Sequence, residues 1–159
     1  MSFLETIDST GYEVITSLVA ANVIAQVLKT IIYAIRFKKL DPRMLVTTGG
    51  MPSSHSSSIV AMACSVGLIE GFSSMYFALA FAVSAVVLYD SAGVRRAAGR
   101  QATVLNKIIQ ELFSEEHKLS GAKLKELLGH SPKEVLVGSF LGVLVSMGIR
   151  WLVVNSLYV

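Results

Sequence analysis

Two short histidine-bearing turns are the part of this sequence best suited to chemistry. The first spans residues 49–55 and reads GGMPSSH, and the second spans residues 129–134 and reads GHSPKE. Each leads directly into a long apolar run. Such a turn places hydroxyls and an imidazole at the start of a helix, where unpaired N–H groups and the positive end of the helix dipole favour an oxyanion. The two turns predict one shared anion site.

Two basic residues upstream, Lys29 and Arg36, are the candidate cations for this site. They are seven residues apart in a helical pattern, so they lie two turns apart on one face. Lys29 falls inside an apolar run, where an unpaired ammonium costs at least ~2.5 kcal/mol on insertion scales. We therefore expect Lys29 to face an anion or a wet cavity. The alternatives are that Lys29 snorkels from a tilted helix and that Arg36 only marks the membrane boundary.

This inventory suits phosphoryl transfer. Cations and N–H donors stabilise the equatorial oxygens of the phosphoryl group, one histidine can attack phosphorus, and the other can protonate the leaving oxygen. In the expected topology all of these groups lie at the cytoplasmic ends of their helices.

The elements that must position these groups are membrane helices. The chain has 159 residues, 53% of them hydrophobic and 16% charged, with a mean hydropathy of +0.61, which is too apolar for an ordinary soluble domain of this size. We expect one all-α domain over residues 1–159, an integral membrane helical bundle. Four stretches of roughly 18 to 24 residues are long enough to span a bilayer. They cover about residues 12–35, 54–72, 75–92 and 135–154.

The longest part outside these spans, residues 93–133, has a pattern of its own. From Ala102 to Phe113 apolar residues recur at helical spacing with polar residues on the other face, which predicts an amphipathic cytoplasmic helix that lies on the membrane surface or against the bundle. A short helix is also expected from Ser120 through Leu128. In the last span, Gly138 and Gly142 form a Gly-x-x-x-Gly motif. We expect it to serve packing within the bundle first and homodimerisation second.

Charge distribution predicts the orientation. Lys and Arg are concentrated between spans one and two and between spans three and four, so the positive-inside rule makes both loops cytoplasmic and both termini external. Arg150, near the end of the last span, is an exception to this rule. Residues 1–11 hold no Lys or Arg, so we expect the first span to stay in the mature protein. Basic residues beside spans usually serve topology and anionic lipids, which makes nucleic acid an unexpected partner. Cys64 is the sole cysteine.

The motifs resemble those of the type 2 phosphatidic acid phosphatase and vanadium haloperoxidase superfamily, whose signature is Lys-x6-Arg-Pro, Pro-Ser-Gly-His and Ser-Arg-x5-His-x3-Asp. Here the matching residues are Lys29 and Arg36, then Pro52, Ser53 and His55 with Ser54 replacing glycine, then His130 and Glu134. The string over residues 49–55 and the segment DSAGVRRAAG over residues 90–99 look like the divergent membrane branch of that superfamily.

The resemblance implies a role for each matching residue. His130 would be the nucleophile that forms a phosphohistidine, Glu134 its orienting carboxylate, and His55 the general acid. Lys29, Arg36 and the Ser53-Ser54 turn would hold phosphate. No metal and no other cofactor is expected.

The chain departs from the signature in three places. Phe37 replaces proline, Glu134 replaces aspartate, and Leu124 stands where the third motif has arginine. Ser131 to Glu134 also reads as a capping box with Pro132 at the first helical position, so Glu134 is alternatively a helix cap. We expect Arg95 or Arg96 to replace the missing arginine, with Asp90 orienting it through an ion pair. The alternative is a positive-inside cluster with no ligand role.

The function implied is hydrolysis of a lipid phosphomonoester, of the phosphatidic acid, phosphatidylglycerophosphate or polyprenyl phosphate type. We expect the site on the cytoplasmic face of a bacterial-type plasma membrane. A non-catalytic lipid-phosphate binder or transporter is the main alternative. Less expected are a metal-dependent membrane hydrolase using His55, His130, Asp90 and Glu134, and a purely structural membrane protein.

Overall fold

The computed structural model describes residues 3–45, 50–92, 101–109 and 131–158. In chain order these form α1 (Phe3–Ile7), α2 (Gly11–Phe37), a 3-10 turn (Pro42–Leu45), α3 (Ser54–Glu70), α4 (Met75–Ala92), a helical stretch α5 over residues 101–109, and α6 (Pro132–Tyr158). No strand occurs in these four ranges. The all-α prediction is confirmed, and a long helix is found at each of the four predicted positions.

Local sequence explains where the long helices begin and end. The Thr10 hydroxyl accepts from the Tyr12 N–H at 3.3 Å and caps α2, which ends where Lys38 adopts a left-handed conformation. Ser53 caps α3, and Gly71 at φ 87° ends it because glycine takes positive φ without strain. The tight turn after Gly71 sends α4 back along α3.

Helix α3 is the centre of the bundle, since it packs against α2, α4 and α6. It runs antiparallel to α2, as Ser17 bonds Ser65 and Asn22 bonds Ser58 across that interface. It also runs antiparallel to α4 and parallel to α6. The amino ends of α3 and α6 therefore meet the carboxyl ends of α2 and α4 at one end of the bundle.

The bundle has a small-residue, polar interior and an apolar exterior. Its buried positions include Ser17, Ala21, Ala25, Ser56, Ser57, Ala61, Ser65, Ser84 and Ser146. Large side chains such as Ile35, Phe81 and Trp151 are exposed instead. Small residues let membrane helices approach closely while large apolar ones face lipid, so this distribution is the one expected in a bilayer.

Two helices, α2 and α6, are long and apolar enough to cross a membrane by length and composition. Helices α3 and α4 are shorter, at 17 and 18 residues. The amphipathic segment is confirmed as helical over residues 101–109, with Val104, Leu105, Ile108 and Ile109 exposed. Residues 110–113 and the helix expected from Ser120 lie outside the described residues.

Candidate functional site

Lys29 is turned into the bundle. The residue is only 3% exposed, and its aliphatic stem lies against Gly50, where an added Cβ would sit 3.6 Å from Lys29 Cδ. The carboxylate of Glu134 is close enough to attract the ammonium electrostatically. The expectation that Lys29 faces an anion is confirmed. Lys29 of the first motif, Gly50 just before the second motif and Glu134 of the third motif therefore lie close together.

The first histidine-bearing turn, over residues 49–55, is tied directly to α6. The Ser53 N–H donates to the backbone carbonyl of Glu134 at 3.3 Å. One turn further along α6, Gly138 lies so close that an added Cβ would be 2.5 Å from the Ser53 carbonyl oxygen. Gly142 makes the same kind of approach to Ser57, at 2.4 Å from its carbonyl oxygen. The expectation that this Gly-x-x-x-Gly motif packs within the bundle is confirmed.

The serines of the first turn are buried, and Ser53 makes hydrogen bonds within the start of α3. Ser53 Oγ accepts from the N–H and from the hydroxyl of Ser56, at 3.3 and 2.9 Å. Ser53 and Ser54 are 0% and 2% exposed. Ser53 Oγ accepts both of these bonds as the N-cap of α3, so this residue fixes the start of the helix. An anion here would meet the first N–H groups of the helix.

Glu134 is part of a capping box. Its carboxylate oxygen Oε2 accepts from the Ser131 N–H at 3.1 Å, and the Ser131 hydroxyl accepts from the Glu134 N–H at 3.4 Å. Helix α6 begins at Pro132, as the sequence predicted. The capping alternative is therefore confirmed. It coexists with the electrostatic attraction to Lys29, since each carboxylate oxygen offers its own lone pairs.

His55 and Asp90 lie at the same end of the bundle as Lys29. His55 is in the first turn of α3 and is half-buried. The Ser84 hydroxyl donates to the Ile59 carbonyl at 3.0 Å, which fixes the antiparallel register of α3 and α4. Six residues beyond this contact, Asp90 is level with Ser53 and within about two residues of His55 along the bundle axis.

Arg36 is not brought to this cluster. It is exposed, and its guanidinium lies over the Phe37 ring, 5.7 Å from the centroid. Two helical turns separate it from Lys29, or roughly 10 Å along the axis. The predicted common face is geometrically correct, but α2 extends past the packed part of the bundle before it reaches Arg36.

The remaining predicted site residues, His130, Arg95 and Arg96, lie outside the described residues, as do the proposed ion pairs of Asp90 with these arginines. Within the described ranges, no group of three or more His, Cys, Asp or Glu side chains is arranged to hold a metal ion.

A second charged cluster, which the sequence did not suggest, lies at the opposite end of the bundle. Arg150 Nη1 is 3.0 Å from Asp8 Oδ1, 3.1 Å from Glu13 Oε2 and 3.2 Å from the Ser9 hydroxyl. Glu13 is only 1% exposed. The signal that could have revealed it is the stripe Glu13, Ser17, Ala21, Ala25 and Lys29, which recurs every fourth residue. In a membrane helix, a stripe of polar and small residues marks the inward face.

Comparison with known proteins identifies the family of this chain. A family model described as the Divergent PAP2 family matches residues 11–145. The chain is 40% identical over 148 residues to the protein named Uncharacterized membrane protein YuiD from Bacillus subtilis (strain 168). The aligned region covers 87% of this chain and 93% of that protein. No solved structure matches the chain. The relative's name and the two long apolar helices support a location in the membrane. The match over residues 11–145 contains Lys29 and both histidine turns, and it shows that the chain belongs to the Divergent PAP2 family.

Proposed function

We propose that the protein is a lipid phosphate phosphatase whose active site lies at the bundle end that holds Lys29, His55 and Glu134. The observation that carries the proposal is the burial of Lys29 against Gly50, beside the Glu134 carboxylate. An ammonium taken out of water in this way is costly unless anions face it. The phosphate of a substrate would be a second anion for it, next to the first N–H groups of α3.

The proposed reaction has two steps. His130 attacks phosphorus, the ester P–O bond breaks, and the leaving alkoxide takes a proton from His55. Water then gives a proton to His55 and attacks the phosphohistidine, the P–N bond breaks, and inorganic phosphate and His130 are released. Glu134 orients His130 and balances the charge of Lys29, while Arg95 or Arg96 completes the phosphate contacts with Asp90 in support.

The substrate is proposed to be a phosphomonoester of the membrane, such as phosphatidic acid, phosphatidylglycerophosphate or a polyprenyl phosphate. Four helices would cross the bilayer, α2, α3, α4 and α6, with the site on the cytoplasmic side. The strong burial of small residues along α3, which packs against α2, α4 and α6, supports counting α3 and α4 as spans. A homodimer is compatible with the exposed faces of α2 and α4.

A non-catalytic binder or transporter of lipid phosphate is the second proposal. The observation that favours it is the absence of the third-motif arginine, with Leu124 in its place. Removing one donor that stabilises transition-state charge costs about 10²- to 10³-fold in rate elsewhere. Phosphate binding through Lys29 and the helix end would survive that loss better than turnover.

The test is phosphate release from a panel of lipid phosphates by purified protein in detergent with a chelator present. The native chain is compared with His130→Ala, with His117→Ala as a matched control, since His117 belongs to no motif. Release that is lost only in His130→Ala supports the phosphatase. No release from any lipid, together with vanadate binding that is lost in Lys29→Met, supports the binder. Release that persists in His130→Ala overturns the proposed nucleophile.

A further inference from the structure

Helices α3, α4 and α6 leave an open apolar groove between them, with a volume of 630 Å³. Val60 and Cys64 of α3, Phe81 and Leu88 of α4, and Met147 of α6 form its walls. The hydroxyl of Ser84 also borders the groove, but it donates to the carbonyls of Ile59 and Ala80 and so turns towards the helices. The surface offered to an occupant is therefore hydrocarbon.

The two ends of the groove differ. At the end away from Lys29, the Phe72 ring packs directly on Gly67, where an added Cβ would be 2.4 Å from the ring. Phe72 meets Phe77 edge-on at 5.1 Å between centroids, and Phe77 lies 6.0 Å from Phe81. These rings close the far end. The other end approaches the candidate site, because Val60 is five residues, or about 7.5 Å, along α3 from His55.

The size of the groove discriminates between occupants. From Phe77 to Leu88 it follows α4 for about 16 Å, so a volume of 630 Å³ gives a mean cross-section of roughly 40 Å². A helix with a diameter of about 10 Å has a cross-section of ~80 Å², about twice as large. A methylene is about the size of a water molecule, which occupies ~30 Å³ in the liquid, so the groove has room for roughly 20 methylene-sized groups. A single long hydrocarbon chain fits, whereas a helix of a second copy does not.

We propose that this groove holds one hydrocarbon chain of the lipid whose phosphate lies beside Lys29 and His55, and that the rings of Phe72 and Phe77 limit the length of that chain. The inference rests on the proposed function for the position of the phosphate. It adds a substrate class, namely a lipid phosphate with one acyl chain matched to the groove, and it places the determinant of chain length far from the reacting atoms.

The first test fills the groove. Ala85 borders the groove and is exposed, so Ala85→Phe can enter it without repacking the interior. Ala82→Phe is the matched control, because Ala82 is exposed on the same helix and points away from the groove. We expect Ala85→Phe to lower kcat/KM for dipalmitoyl phosphatidic acid about ten-fold or more relative to the dioctanoyl lipid, as loss of a few methylene contacts does in apolar pockets. Ala82→Phe should leave that ratio within about two-fold. An equal effect of Ala85→Phe on both lipids overturns the proposal.

The second test needs no turnover. Cys64 is the sole cysteine of the chain and borders the groove, so its rate of alkylation by a maleimide reports groove occupancy. The protein is His130→Ala in detergent, with dipalmitoyl or dioctanoyl phosphatidic acid added. We expect the long-chain lipid to slow alkylation several-fold and the short-chain lipid to have little effect.

The two tests separate the groove from the reaction. Protection of Cys64 by the long-chain lipid without phosphate release by the native protein keeps the groove and removes the phosphatase. Release without protection and without dependence on chain length keeps the phosphatase and overturns the groove. Protection that grows with protein concentration in the absence of lipid identifies a second copy as the occupant, and this also overturns the proposal.

Discussion

The guanidinium of Arg150 lies 3.1 Å from the carboxylate of Glu13, a residue 137 positions away in the chain. Asp8 contacts the same guanidinium nitrogen. This cluster joins the start of α2 to the last turns of α6, at the end of the bundle opposite Lys29. The charge of Arg150 is thus compensated by two carboxylates.

Replacing Arg150 by methionine should destabilise the bundle more than replacing Glu13 by glutamine. Arg150→Met leaves the buried Glu13 carboxylate without its cation, and breaking a buried pair from one side costs about 3–5 kcal/mol. Glu13→Gln removes the buried charge itself and keeps a hydrogen-bonding oxygen. Thermal unfolding in detergent measures both.

The double variant Glu13→Gln/Arg150→Met should be more stable than the sum of the single losses indicates, because neither charge is then left alone. Arg43→Met is the matched control. Arg43 is exposed in the 3-10 turn, so its replacement should change stability by no more than about 0.5 kcal/mol. Additive losses in the double variant would show that the contact carries no coupling.

Adding one methyl group to α6 should have opposite effects at two glycines. At Gly142 the added Cβ would meet the Ser57 carbonyl oxygen at 2.4 Å and the Ala61 nitrogen at 2.9 Å, both backbone atoms. Gly142→Ala should therefore cost about 1–3 kcal/mol by overpacking. Gly148→Ala meets nothing within 4 Å and should be neutral or stabilising by up to ~1 kcal/mol, since alanine favours helix.

Unfolding midpoints of the two glycine variants, taken in the same detergent, make the comparison. If Gly142→Ala were as stable as Gly148→Ala, the close contact of α3 with α6 would be wrong. The register of α3 and α6 that brings Ser53 to Glu134 would then be wrong as well.

The sequence predicted the position of a helix well where the apolar run was nearly continuous. Helix α4 covers the predicted residues 75–92, because an apolar run broken only by Ser84 extends from the preceding turn to Tyr89. Helix α6 is longer than the span 135–154, since its capping box adds the first turn and polar residues such as Asn155 continue it. A bilayer estimate measures the apolar core of a helix and not its full length.

The position of a site residue was predictable where burying its charge in an apolar run would be costly. Lys29 had to turn inward because an ammonium in an apolar run is expensive, and it does. The exposure of Arg36 depends on where the bundle stops packing, which spacing along one helix does not encode. The Glu13–Arg150 pair was missed because the stripe along α2 marks Glu13 as inward-facing but does not identify its partner, which lies 137 residues away.

The two roles of Glu134 can be separated by a pair of variants. Glu134→Gln keeps an oxygen that accepts from the Ser131 N–H, since glutamine also serves in a capping box, but it removes the charge beside Lys29. We expect a loss of stability, because the buried Lys29 ammonium loses its carboxylate, and a loss of phosphate release of about 10²-fold, the lower end for removal of one electrostatic group from an active site.

Ser131→Ala should lower stability and leave phosphate release unchanged. It removes the hydroxyl that accepts from the Glu134 N–H, which costs about 1 kcal/mol of stability, and it leaves the carboxylate in place. Stability from thermal unfolding and phosphate release are measured on both proteins. Native release by Glu134→Gln would assign this residue to capping alone.

The side of the membrane that holds the candidate site is tested by two engineered cysteines in a Cys64→Ala background. Lys39 follows α2 at the Lys29 end of the bundle, and Ser73 lies in the turn between α3 and α4 at the opposite end; both are exposed. The positive-inside rule places Lys39 in the cytoplasm. A membrane-impermeant maleimide should therefore label Ser73→Cys in intact cells and Lys39→Cys only after the cells are permeabilised. Labelling of Lys39→Cys in intact cells, with Ser73→Cys protected, would put the site on the external face, where it would meet lipid phosphates of the outer leaflet.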